Sequence, residues 1–146
     1  MATALADNLR AKGWHLALAS RNTEKCVASS NDKIIEADVS TEAGAEWALQ
    51  QATEFFNTVP DAVVNCAGAI LIAPIARTTE SQYRQCLSAN LDTAFFTSKA
   101  YATALQKNKQ AGSLILFSSV AAAFGISNHA AIAMAKGGLE ALVRSL

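Results

Sequence analysis

The chain has 146 residues, 51% of them hydrophobic, and its 12 basic and 12 acidic residues cancel to a formal charge of zero. That length and apolar content fit one globular domain with a sizeable core. A neutral chain without a basic stripe is poorly suited to nucleic acid, whose phosphates need clustered Lys and Arg, so the expected partner is a small molecule. Cys26, Cys66 and Cys86 are odd in number, far apart and without a second Cys or His at ligand spacing. They read as small core residues in a reducing compartment, with no metal site expected. The apolar stretches at 67–76 and 114–117 are too short, or too interrupted by Gly, Pro and Ser, to span a bilayer. Asp7, Arg10 and Lys12 fall where a signal peptide keeps an uninterrupted apolar core, which makes the cytoplasm the expected location.

In chain order, residues 2–12 place Leu5 and Leu9 at helical spacing, and Gly13 suits the left-handed turn that ends a helix. Strands are predicted at 15–19 and 34–37, then a helix over 42–57 whose Ala48, Ala52, Phe55 and Phe56 share a face. Pro60 and Asp61 introduce a third strand at 62–65. Thr79 with Gln82 three residues on forms a capping box, opening a helical region that resumes as a long helix from about 91 to 107. Gly112 precedes a fourth strand at 114–117, and Asn128 or Ser127 can cap a last helix striped by Leu139, Leu142, Val143 and Leu146. Alternating helices and strands without repeats or low-complexity linkers imply an α/β fold in a single unit over 1–146, a parallel sheet covered on both faces.

Ligands of open α/β sheets bind beyond the C-terminal ends of the strands, and the chemistry-bearing residues fall there. Asn65-Cys66-Ala67-Gly68 leaves the third predicted strand, and the small Ala67 and Gly68 let the backbone approach a flat ligand. Ser118-Ser119 leaves the fourth, Asn90 sits in Ala89-Asn90-Leu91, and Lys136 lies on the last helix. Their order and spacing resemble the Asn-Asn-Ala-Gly signature, active-site asparagine, serine and Tyr-x-x-x-Lys of the short-chain dehydrogenase/reductases. The resemblance runs over essentially the whole chain. It departs at one point: 13 residues after Ser119, in the register of the family's catalytic tyrosine, stands Ile132.

The resemblance implies a Rossmann-like doubly wound parallel sheet and hydride transfer between a nicotinamide and a carbonyl or alcohol carbon. By the same resemblance Ser119 polarises the substrate oxygen, Lys136 contacts the nicotinamide ribose and Asn90 holds a water on the proton path. A hydrocarbon at 132 neither donates nor accepts a proton. His129 precedes Ile132 by three residues and Lys136 by seven, so it shares their helix face, and an imidazole titrates near neutrality. A His near a helix start serves equally as a cap or surface residue. Ser118 is a spare hydroxyl whose plainer role is bonding local backbone.

Cofactor preference is read from Leu18-Ala19-Ser20-Arg21-Asn22, which lacks the acid that holds an adenosine ribose. Arg21 suits a 2′-phosphate and favours NADP(H) over NAD(H), its alternative being a solvated surface Arg. Asp38 and Val39 resemble the family's contact with the adenine edge, together with Asn65, Ala67 and Gly68. The competing role for Asp38 is capping the next helix, which Ser40 or Thr41 can also do.

Aligned with the family, Met1-Ala2-Thr3-Ala4 falls at the end of the Gly-rich turn that seats the pyrophosphate on a helix N-terminus, with Ala2 where a glycine is expected. The first strand, expected between 15–19 and 62–65, is missing, and the family continues for roughly another hundred residues beyond Leu146. The expected reading is an internal fragment of a longer protein, or else a truncated natural product. Helices at 91–107 and 128–146 resemble the pair through which family members dimerise, implying a homodimer or homotetramer. Two functions follow: an NADP(H)-dependent oxidoreductase acting on a small carbonyl or alcohol, or a non-catalytic nucleotide-binding or partner subunit.

Overall fold

The computed structural model describes residues 2–146. Helix α1 (Ala2–Ala11) is followed by strands β1 (Ala17–Ser20) and β2 (Lys33–Glu36), helix α2 (Glu42–Phe56) and strand β3 (Ala62–Asn65). Helices α3 (Glu80–Leu87) and α4 (Thr93–Asn108), strand β4 (Ser113–Leu116) and helices α5 (Val120–Ala123) and α6 (Ala130–Ser145) complete the chain. Among the described residues, no helix is long and apolar enough to cross a membrane.

The strands pair as two separate parallel ladders. β1 runs beside β2 with Ala17 opposite Lys33 and Ser20 opposite Glu36. β3 runs beside β4 with Ala62 opposite Ser113 and Asn65 opposite Leu116. The sheet is divided where the first strand is expected and missing, since β1 and β3 share no ladder. A parallel ladder needs its neighbour within about 4.8 Å, and the strand expected between these two is not part of the sequence. β1 also starts later than predicted: His15 is exposed and only Leu16 turns inward.

Local chemistry sets the helix ends. Gly13, at φ +82°, closes α1, its N–H bonding back to the Arg10 carbonyl while the Trp14 N–H reaches Leu9. Thr41 caps α2 by accepting from the Gly44 N–H at 3.1 Å. Asn57, in the left-handed region at φ 57°, ends it. The core beneath α2 is Ile35, Ala37 and Ala52, with Ala17, Val39, Ala48 and Phe56 packed against them. Phe55 leaves that face: it is 38% exposed and meets Phe56 with ring centroids 5.0 Å apart and planes tilted by 58°.

Thr79 and Gln82 form the predicted capping box at the start of α3. From there the helical path runs through one π-turn, Ser88–Asp92, into α4, so the long helix opens slightly later than expected. α4 packs across α2, where Lys99 pairs with Glu42, and its buried Tyr101 donates to the Pro60 carbonyl at 2.8 Å. The start of α6 departs from prediction. Neither Ser127 nor Asn128 caps it; Asn128 turns left-handed at φ 63° and its carbonyl accepts from the Ala73 N–H. The α6 stripe is buried at Leu139, but Val143 and Leu146 are 53% and 70% exposed.

Candidate active site

Two strand exits and a helix distortion build the centre. The π-turn adds a residue to the helical path and turns Asn90 inward, where it is 2% exposed, a distortion often found at functional positions. Its Nδ2 donates to the carbonyls of Ala69, at 2.8 Å, and Cys86, at 2.9 Å. The opposite edge of the carboxamide faces Gly68: a Cβ placed there would lie 2.9 Å from Asn90 Oδ1 and 3.8 Å from Lys136 Nζ. Only a glycine admits this approach. Just before it, the Asn65 side chain accepts from the Ala67 N–H at 2.9 Å and fixes the turn out of β3. Lys136, buried on α6, donates to the Phe117 carbonyl beyond β4 at 2.7 Å. Burial pulls its ammonium below the ordinary lysine range, opposed in part by the nearby Cys86 thiol. The chain therefore gathers Asn90 and Lys136, far apart in sequence, at the exit of β3 formed by Asn65, Ala67 and Gly68.

The local backbone bond expected of Ser118 is made instead by Ser119. Ser119 caps the short α5, its Oγ accepting from the Ala121 N–H at 3.2 Å, so its own O–H stays free to donate. Ser118 bonds no local backbone; its hydroxyl donates to Glu140 on α6 at 2.5 Å. Ile132 is 6% exposed, part of the packing of α6. His129 occupies the N-cap position of α6 without a capping bond from its side chain. Its Nδ1 lies 2.7 Å from the Ser127 carbonyl. A carbonyl only accepts, so the proton belongs on Nδ1 and the neutral ring keeps its lone pair on Nε2. His129 lines a cavity of about 520 Å³ together with Pro74, Ile75, Ala121, Phe124 and Ile126. The Ala73–Asn128 backbone bond joins the loops that form its two sides.

A second cleft, about 680 Å³, follows β2 and is lined by Arg21, Lys33, Glu36, Asp38 and Trp47. Arg21 is exposed at its mouth. Asp38 does not cap α2, which Thr41 does. Its Oδ1 accepts from the Ser40 N–H at 3.0 Å and hydroxyl at 2.6 Å. The Ser40 hydroxyl holds the Asp38 carboxyl below its ordinary range against the effect of burial, with help from the charge of Arg21. The Val39 side chain packs against the core.

Sequence reasoning missed Cys86, read only as a small core residue, although its place four residues before Asn90 on a helical path was a usable signal. It also missed Ile75 and Phe124, whose apolar character alone does not distinguish a cavity wall from a core. Among the described residues no group of three His, Cys, Asp or Glu side chains is placed to hold a metal ion.

Parallel strands wrapped by helices, with small and polar residues collected at the strand exits, define a Rossmann-like α/β protein. Residues 1–146 match the family model described as enoyl-(acyl carrier protein) reductase. The chain belongs to the short-chain dehydrogenase/reductase family. It is 33% identical over 112 residues to the 3-oxoacyl-[acyl-carrier-protein] reductase MabA of Mycobacterium avium, covering 77% of this chain and 43% of that protein. With the human (3R)-3-hydroxyacyl-CoA dehydrogenase it shares 30% identity over 115 residues, 79% of this chain and 44% of the relative. The chain spans about half the length of such relatives. Its fold superposes on a short-chain dehydrogenase from Streptomyces avermitilis with a TM-score of 0.86 at 20% identity, covering 98% of this chain and 54% of that one. A 4-hydroxyisoleucine dehydrogenase complexed with NADH and succinate gives 0.82 at 20% identity, over 98% and 65%.

Proposed function

We propose that this chain forms the cofactor-binding part of an NADP(H)-dependent oxidoreductase acting on a small carbonyl or alcohol. The observation that carries the reading is the meeting of Gly68, Asn90 and Lys136, where the bare backbone of Gly68 lets an amide oxygen and a buried ammonium pack close to the exit of β3. A strand exit with those groups beside it suits a flat, hydroxyl-bearing ligand. When bound, the nicotinamide supplies or accepts the hydride. Lys136 would hold the adjoining ribose hydroxyls, and Asn65, Ala67 and Gly68 would let the cofactor lie against the exit of β3. Asp38 and the Val39 backbone would meet the adenine edge. Arg21, at the exit of β1 in the cleft it shares with Glu36 and Asp38, would take a 2′-phosphate.

On the substrate side, Ser119 donates its free O–H to the reacting oxygen. His129 exchanges the proton through Nε2, in place of the phenol that Ile132 cannot supply. General acid/base help of this kind is worth about 10²- to 10⁴-fold. A second reading, a nucleotide-binding relative without catalysis, is favoured by the same buried Ile132.

Trp47 shares the cleft with Arg21 and provides the test. Titration followed by energy transfer from tryptophan to the reduced nicotinamide is expected to show NADPH bound at least about tenfold more tightly than NADH, with Arg21→Ala removing most of the difference. Equal affinities in the parent reject the cofactor assignment. NADPH bound with no carbonyl ever reduced leaves the second reading.

A further inference from the structure

The proposed reaction gives Cys86 no role, yet its carbonyl and its Sγ both face the Asn90 carboxamide nitrogen. A carboxamide has two N–H donors. Asn90 uses one on the Ala69 carbonyl and directs the other toward Cys86, whose carbonyl is at 2.9 Å and whose Sγ is at 3.8 Å. With Nδ2 committed to that side, Oδ1 is left on the side of Gly68 and Lys136. The flipped amide would set Oδ1 against two carbonyl oxygens, with no donor to meet it.

We propose that Cys86 is a positioning residue, its thiol completing the acceptor pocket that holds the Asn90 carboxamide with Oδ1 toward Lys136. The role rests on the proposed cofactor reading only in that Asn90 and Lys136 face the nicotinamide end. The residue is 3% exposed, and its size sets how far Asn90 can tilt. Burial pushes the Cys86 thiol up, so it stays protonated near neutrality, while the Asn90 contact and the Lys136 charge oppose that rise. It is a neutral, soft acceptor in a place where a carboxylate would pair with Lys136 and an alkyl group would leave the amide proton with the carbonyl alone.

The test compares Cys86→Ala, Cys86→Ser and Cys86→Val in the full chain, labelled with ¹⁵N-asparagine. The readout is the Asn90 side-chain amide, assigned by its loss in Asn90→Asp. Cys86→Ala is expected to shift this signal and speed its solvent exchange roughly fivefold to tenfold, with Cys86→Ser restoring both and Cys86→Val, similar in bulk without the acceptor, restoring neither. If Ala and Val leave the Asn90 signal and its exchange as in the parent, the proposal is overturned. Should Ala fail to fold, Ser against Val decides by the same criterion. In parallel, carbonyl reduction is expected to fall about tenfold in Val with NADPH affinity nearly unchanged, and to recover in Ser. A parent that binds no NADPH defeats the cofactor reading, whereas the amide signal still judges Cys86, since it needs neither cofactor nor turnover.

Discussion

Ile132 is packed inside α6, so a phenol at that position has to displace its neighbours as well as supply a proton. Ile132→Tyr is expected to cost about 1–3 kcal/mol in stability from overpacking. It should nevertheless raise NADPH-dependent carbonyl reduction tenfold or more, read as initial rates beside a thermal melt. His129→Ala should abolish whatever activity the parent has. If neither substitution changes the rate, position 132 and His129 are both outside the chemistry. Gly68 makes a sharper residue-scale case. The added Cβ of Gly68→Ala would fall 2.9 Å from Asn90 Oδ1, closer than packed carbon and oxygen tolerate, so Asn90 or the β3 exit must move. NADPH affinity is expected to drop at least about tenfold while α-helical circular dichroism stays near the parent's. Unchanged affinity would remove Gly68 from the cofactor site.

Among the elements, α1 is held by a clamp at some distance from the site. Arg10 Nε donates to Asp32 at 2.9 Å, while its other nitrogens reach Asp7 and the Val27 carbonyl, both at 2.7 Å. Asp32 also accepts from the Ser29 N–H at 2.8 Å, so one carboxylate ties α1 to the loop before β2. Burial alone would raise the Asp32 carboxyl, but the Ser29 N–H and the Arg10 guanidinium outweigh it and hold the group below its ordinary range. A depressed folded value means that the clamp contributes fully above the unfolded carboxyl pKa of about 3.9 and is lost as pH falls through the lower folded value. Asp32→Asn should therefore speed amide exchange in α1 at neutral pH. The gap from the parent should close once both are well below that window. A difference that persists unchanged in acid would show that the ion pair is not what holds α1.

Among the described residues, two divided ladders leave strand edges without partners, and exposed apolar side chains accompany them. On the helical side, Phe95 of α4 and Met134 of α6 are each about half exposed, at 49% and 52%. These are the helices expected to meet a second copy, and burying such residues is the ordinary driving force for association. Light scattering at about 10 μM is expected to give at least twice the chain mass. Paired substitution of Phe95 and Met134 by Lys should shift the population toward monomer. Association that persists in the paired variant points instead to the open strand edges, which aggregate by adding strands. A parent that stays monomeric contradicts both.

Much of this was legible in the sequence because it depends on near neighbours. The Thr79–Gln82 box, the stop at Gly13 and the β3 strand at 62–65 follow from residues a few positions apart, and so does the register from Ser119 to Ile132 and Lys136. What the tertiary structure decided involves groups far apart in the chain or a backbone turn with no sequence signature. The π-turn that buries Asn90, the use of the Ser118 hydroxyl by Glu140 and the exit of Phe55 from the core are of this kind. The division of the sheet, in contrast, agrees with the expectation of an absent strand between 15–19 and 62–65, since pairing needs an adjacent backbone and β1 and β3 share no ladder. Sequence determined which groups the chain has to offer, since spacing along one helix or strand exit fixes their order and direction. Which atoms meet, Gly68 with Asn90 and Lys136 above all, was settled only when separate elements packed, because a hydrogen bond or a Cβ clash is decided within fractions of an ångström that no periodicity encodes.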